Sequence, residues 1–122
     1  MTANPFVILY VEDDELVREM FAEGLATAER RIVTVGDAAS ARGALRENNV
    51  NLLVTDLNLG DASGSELARE ALQQNPSLSV IVCSGHDARD VVQSLGPAAH
   101  ALRKPFELDQ LEALIDRLAR AT

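Results

Sequence analysis

A handful of side chains in this sequence could do metal and phosphate chemistry together, and each follows a short apolar run. Glu12 and Asp13, with Asp14 behind them, follow Phe6–Val11. Asp56 follows Leu52–Thr55 and leads into Leu57-Asn58-Leu59-Gly60. Ser84 follows Leu78–Cys83, and Lys104-Pro105 come just after Ala99–Leu102. Brought to one place, Glu12, Asp13 and Asp56 would repel one another and raise one another's pKa. A hard divalent cation relieves that repulsion, because Mg²⁺ favours oxygen ligands and keeps several waters. Lys104 adds a positive charge and Ser84 a hydroxyl. Such a set suits phosphoryl transfer: cation and ammonium neutralise phosphoryl oxygens, the hydroxyl hydrogen-bonds one of them, and a carboxylate attacks phosphorus.

Convergence of residues so far apart in sequence requires a scaffold. Four apolar runs, with Ile32–Val35 the second in order, are rich in Val, Ile and Leu and barely alternate, as expected of strands buried on both faces. The fifth, Ala99–Leu102, is mostly alanine. Helical patterns lie between them. Val17, Met20, Phe21, Gly24 and Leu25 share one helical face. Ala38–Arg46 is alanine-rich, with Ser40 near its start. Ser65 is a candidate cap for Gly64–Leu72, and Asp87 for Asp87–Leu95 with its stripe of Val91, Val92 and Leu95. Leu108, Leu111, Ile115 and Leu118 give the clearest amphipathic face, and Pro105 breaks the chain before it. Five strands alternating with five helices predict a parallel sheet covered on both faces, with right-handed crossovers. Ligands in such sheets sit beyond the C-terminal strand ends, where the candidate residues lie.

Composition narrows the function. At 122 residues the chain suits one domain with a real core. Only 3% of it is aromatic, so the core must be built from Val, Ile, Leu and Ala. A net charge of −8 leaves no cationic footprint for duplex nucleic acid; the acidic excess suits a cation site or plain solubility. The single cysteine, Cys83, excludes an internal disulfide and reads as a core thiol. No signal peptide or membrane-length apolar stretch is evident, so the expected location is the cytoplasm, without membrane insertion.

The segments V-I-L-Y-V-E-D-D-E-L-V-R, L-L-V-T-D-L-N-L-G-D-A-S-G, V-I-V-C-S-G and L-R-K-P-F, in this order and spacing, resemble the receiver domains of two-component response regulators, of the chemotaxis-regulator-like single-domain kind. The resemblance spans nearly the whole chain, so residues 1–122 are expected to form one receiver domain. It implies an α/β, flavodoxin-like (βα)5 fold: a doubly wound sheet of five parallel strands, order 2-1-3-4-5, with the first and fifth helices on one face. It implies that Asp56 is the phosphoacceptor, that Glu12 and Asp13 hold Mg²⁺ (or Mn²⁺) with Asp56 and the Asn58 carbonyl, and that the Asn58 side chain faces the phosphoryl site. Ser84 matches the switch hydroxyl and Lys104 the lysine that bonds the acceptor and then the phosphoryl group. The peptide bond before Pro105 is expected to be cis, and Gly64 matches the glycine after the acceptor loop. Asp14 either extends the acidic run or caps the first helix. The implied partners are a sensor histidine kinase or a histidine phosphotransfer protein and a downstream protein target, with homodimerisation left open and no direct nucleic-acid contact. The implied chemistry is self-catalysed transfer and slow autodephosphorylation, not turnover of a substrate.

The sequence departs from the family pattern in places. Receivers usually carry Tyr or Phe three residues before the lysine; here that residue is Ala101. His100 could stand in only if the fifth strand slipped by one, which would reverse its faces. Gly60 and Asp61 replace a more frequent proline-glycine type, Gly60 loosening the loop and Asp61 adding charge. His86, near the mouth of the site, reads equally as a tuner of phosphoryl lifetime and as a solvated loop histidine. The main alternative is a phosphorylation-independent pseudo-receiver that only binds. A haloacid-dehalogenase-type phosphohydrolase would want an acid where Asn58 stands. An EF-hand loop fails because Asp61 and Leu67 stand where Gly and Glu are needed. A flavin domain would not place Glu12-Asp13-Asp14 at its phosphate loop.

Overall fold

A computed structural model describes residues 5–60 and 62–120. These residues form β1 (Phe6–Val11), α1 (Glu15–Leu25), β2 (Arg30–Val35), α2 (Ala38–Glu47), β3 (Leu52–Asp56), α3 (Gly64–Gln74), β4 (Ser79–Ser84), α4 (Arg89–Leu95), β5 (Ala99–Arg103) and α5 (Leu108–Arg120). The strands make one parallel sheet, as their alternation with helices predicts, in the order β2-β1-β3-β4-β5 that the family resemblance implies.

Strand alternation sorts the core into two layers. Val7, Leu9 and Val11 of β1, with Leu53, Val80, Val82 and Ala99, pack on one face against Ala41 and Ala44 of α2 and Leu67, Ala68 and Ala71 of α3. Ile8 and Tyr10, with Leu52, Val54, Ile81 and Cys83, pack on the other against Phe21 and Leu25 of α1 and Leu111, Ile115 and Leu118 of α5. The central strands are therefore apolar at nearly every position, while the edge strands β2 and β5 are only partly buried. Edge position also explains why β2 starts at Arg30, two residues before the apolar run. Arg30 turns its guanidinium to Glu112 and Asp116 of α5, so a charged residue belongs to the strand.

Several local expectations need correction. Met20 is 57% exposed, because α1 buries only the narrower stripe through Val17, Phe21 and Leu25. Ser63 caps α3, its hydroxyl accepting the Ser65 N–H at 3.2 Å, so Ser65 is the capped residue and not the cap. At α4 the cap position falls to Ala88, with no side-chain cap; Asp87 sits one residue too early and accepts the Arg89 N–H at 3.0 Å. Asp14 caps α1, accepting from Leu16 and Val17 at 3.0 and 3.2 Å. The Lys104–Pro105 bond is cis, as expected. No helix among the described residues is long and apolar enough to cross a membrane.

Candidate functional site

Strand parity decides what gathers at the C-terminal edge. Asp56 ends β3 on the face that carries Leu52 and Val54, and Lys104 follows β5 on the face of Leu102, the side of α1 and α5. Glu12, one step beyond β1, continues the face of Ile8 and Tyr10. Its N–H donates to the Val35 carbonyl at 3.0 Å and its Oε1 accepts the Asp14 N–H at 3.1 Å. Parallel pairing brings Asp56 level with Cys83, and Leu57 N–H donates to the Cys83 carbonyl at 3.2 Å. Lys104 N–H donates to the Ser84 carbonyl at 2.8 Å, which ties the β5 exit to the β4 exit. The acceptor loop turns back at once: Gly64 N–H donates to the Leu57 carbonyl at 2.8 Å. A Cβ on Gly64 would lie 1.8 Å from the Asp56 carbonyl oxygen, so only glycine permits this approach.

Ligand oxygens of Glu12, Asp13 and Asp56 lie within 4.8 Å of one another. Lys104 Nζ stands 2.6 Å from Asp56 Oδ1. Three carboxylates face one ammonium, and the excess negative charge and the hard oxygen donors both fit a divalent cation. Glu12 is buried, and burial raises its pKa above the ordinary carboxylate value. The Asp56 charge and a hydrogen bond with Asp13 push it the same way, against the Asp14 N–H and Lys104. Burial pulls the Lys104 pKa down, but the hydrogen bond and charge of Asp56, with Glu12 and Cys83, outweigh it and hold the ammonium above the ordinary lysine value. Beneath the site, burial and then the Asp56 charge push the Cys83 thiol up to about 12, so it is an inert core thiol.

Each remaining candidate has a definite place. Ser84 is buried at the end of β4, on the opposite parity from Asp56 and on the face of Val80 and Val82. Its Oγ accepts the His86 N–H at 3.0 Å, while the His86 side chain is exposed. Asn58 is exposed on the acceptor loop, and its Oδ1 accepts the Gly60 N–H at 3.2 Å. Its side-chain oxygen is thus engaged within its own turn. Gly60, at φ 80°, shapes that turn instead of loosening it. Asp61 lies outside the described residues. Ala101 is exposed, on the face opposite His100. The half-buried His100 lies near α5, where burial and the charge of Arg117 lower its pKa; the strand has not slipped, and His100 does not replace the missing ring.

The acidic group opens into a cleft of about 680 Å³ whose far wall is apolar: Tyr10, Val17, Phe21 and Phe106. Sequence reasoning missed this wall. Phe21 meets Tyr10 edge-on at 5.6 Å and Phe106 at 5.7 Å, contacts between segments that no local pattern links. It also missed Arg18, whose Nη1 donates to the Glu12 carbonyl at 2.9 Å.

Known proteins match this chain in both sequence and fold. The family model described as the response regulator receiver domain matches residues 8–116. The chain is 32% identical over 117 residues to the response regulator receiver protein CpdR of Brucella abortus, covering 91% of this chain and 94% of that protein. It is 29% identical over 121 residues to the transcriptional regulatory protein TcrX of Mycobacterium tuberculosis, covering 98% of this chain but 52% of TcrX. The chain thus spans about half the length of that relative. Among solved structures, the chemotaxis response regulator CheY4 of Vibrio cholerae superposes with a TM-score of 0.84 at 18% identity, covering 94% of this chain and 99% of that one. At that identity the likeness speaks for the fold.

Proposed function

Because this chain belongs to the response regulator receiver domain family, we propose that it is a phosphoacceptor switch, residues 1–122 forming one receiver domain that takes a phosphoryl group on Asp56 from a phosphohistidine donor. The observation that carries the reading is the contact of Lys104 Nζ with Asp56 Oδ1 at 2.6 Å, beside the oxygens of Glu12 and Asp13. The donor is a sensor histidine kinase or a histidine phosphotransfer protein, and the output is contact with another protein, in the cytoplasm.

Asp56 is the nucleophile. Its side chain is 13% exposed, enough to be met from the cleft while held by its neighbours. A carboxylate oxygen attacks phosphorus; the new P–O bond forms as the P–N bond to the donor imidazole breaks, and the imidazole keeps the electron pair. Lys104 stabilises Asp56 before the transfer and turns to a phosphoryl oxygen after it. Ser84 Oγ accepts from His86, which leaves its own O–H to donate to a second phosphoryl oxygen. Glu12 and Asp13, with Asp56 and the Asn58 carbonyl, would hold Mg²⁺, or Mn²⁺ in its place. Bound there, the ion supplies charge neutralisation at the phosphoryl oxygens. Water later hydrolyses the acyl phosphate slowly, so the chain alters its own state and turns over no separate substrate.

Beryllofluoride titration in the presence of Mg²⁺, followed by amide NMR, tests the reading. The expected result is a saturable shift set centred on Asp56, Ser84 and Lys104, lost in Asp56→Asn. No response in the wild-type chain would favour a phosphorylation-independent binding module.

A further inference from the structure

One contact near the site has no part in the chemistry just described. Arg18, half-buried in α1, sends Nη1 to the main-chain carbonyl of Glu12 at 2.9 Å. The guanidinium passes beside Gly36, just after β2. A Cβ on Gly36 would lie 2.8 Å from Nη1 and 3.9 Å from the Glu12 carbonyl oxygen, so glycine leaves the slot that the guanidinium fills. The next residue, Asp37, lies within reach of the same positive charge. Glu12 is thus held at both ends of its backbone, N–H to Val35 and carbonyl to Arg18.

We propose that Arg18 is a positioning residue for the divalent cation: by gripping the Glu12 carbonyl in the slot beside Gly36, it fixes the backbone from which Glu12 and Asp13 extend their carboxylates. The inference rests on the cation site proposed above. Two effects of the guanidinium oppose one another. Its charge repels a cation; its grip pre-orders the ligands. The charge sits at a half-exposed position and is screened by solvent. The ordering of loop backbone is not screened, and a lost outer contact of this kind typically weakens metal binding roughly tenfold or more. The two effects predict opposite signs when Arg18 is removed, so the sign of the change separates them.

The experiment is calorimetric titration of MgCl₂ into the full chain at fixed ionic strength, for wild type, Arg18→Ala, Arg18→Lys, Gly36→Ala and the Arg18→Ala/Gly36→Ala double variant. Thermal midpoints in EDTA are measured alongside. Within 3 Å, a methyl on Gly36 meets only the mobile end of Arg18, so Gly36→Ala should displace the guanidinium with the fold intact. Arg18→Ala and Gly36→Ala should each weaken Mg²⁺ binding roughly tenfold, the double variant no further than Arg18→Ala, and Arg18→Lys should recover part of the loss. Should Arg18→Ala fail to fold, Gly36→Ala and Arg18→Lys carry the decision. Tighter binding in Arg18→Ala would make Arg18 a mere like charge and overturn the proposal, as would unchanged affinity in all variants. A wild-type chain that takes up no Mg²⁺ would remove the cation site itself; a wild type that binds, with variants that match it, would remove only the role of Arg18.

Discussion

Gly64→Ala tests how the acceptor loop is built. The added methyl would stand 1.8 Å from the Asp56 carbonyl oxygen and 2.8 Å from its carbon, where ordinary contacts begin at about 3.5 Å. Both atoms are main chain, so no side chain can swing away. The loop must move, which costs about 1–3 kcal/mol and endangers the 2.8 Å bond from Gly64 N–H to the Leu57 carbonyl, worth about 1 kcal/mol. Against this, alanine reduces the entropy of the unfolded chain by about 0.4–1 kcal/mol. The clash wins, for a net loss of about 1–3 kcal/mol. At this chain length that is a fall of roughly 4–12 °C in Tm, read by calorimetry in EDTA. The shift acts on the peptide of the nucleophile, and a 1 Å misplacement can cost about a hundredfold in rate. Labelling by acetyl phosphate should therefore slow by more than tenfold even at temperatures where the variant is folded. A variant as stable as wild type, labelling at the wild-type rate, would refute this view of the loop.

Other substitutions probe other links. Between the ordinary carboxylate value and its raised folded value, Glu12 binds more protons in the folded than in the unfolded chain, so its contribution to stability falls as pH rises through that window. Glu12→Gln should therefore raise the Tm of the metal-free protein at pH 7 while weakening Mg²⁺ uptake in calorimetry, and its advantage should shrink as pH is lowered towards the ordinary carboxylate value. Ile115→Ala, in the fully buried contact of α5 with the sheet, should cost about 2–5 kcal/mol in urea unfolding without changing Asp56 labelling in the folded fraction. Ala101→Tyr places a ring at an exposed position of β5, and the amide shifts that follow phosphorylation should spread further into α4 and β5 than in wild type; an identical shift map would show that Ala101 is not the missing relay.

The central architecture was legible because β1, β3 and β4 are buried on both faces and must be written in Val, Ile and Leu. Their C-terminal ends then named Glu12, Asp13, Asp56 and Ser84, and the end of the weaker fifth run named Lys104. Edge elements were less legible. Arg30 belongs to β2 through its contacts with Glu112 and Asp116, which are distant in sequence, so no local apolar pattern announces it. Cap assignments failed by two residues at Ser65 and by one at Asp87, since Ser-Gly-Ser and Asp-Ala-Arg each offer more than one starting register. Arg18 and Phe106 escaped notice because an arginine on a polar helix face and an isolated phenylalanine after a proline carry no periodic signal. Their roles come from where separate elements meet.

The most direct measurement is the intact mass of the chain after incubation with acetyl phosphate, with and without Mg²⁺, in wild type and Asp56→Asn. One phosphoryl group should be added to wild type, only when Mg²⁺ is present, and none to Asp56→Asn. Equal labelling of Asp56→Asn, or labelling of wild type that persists in EDTA, would contradict the assignment of Asp56 as an acceptor served by a cation held between Glu12 and Asp13.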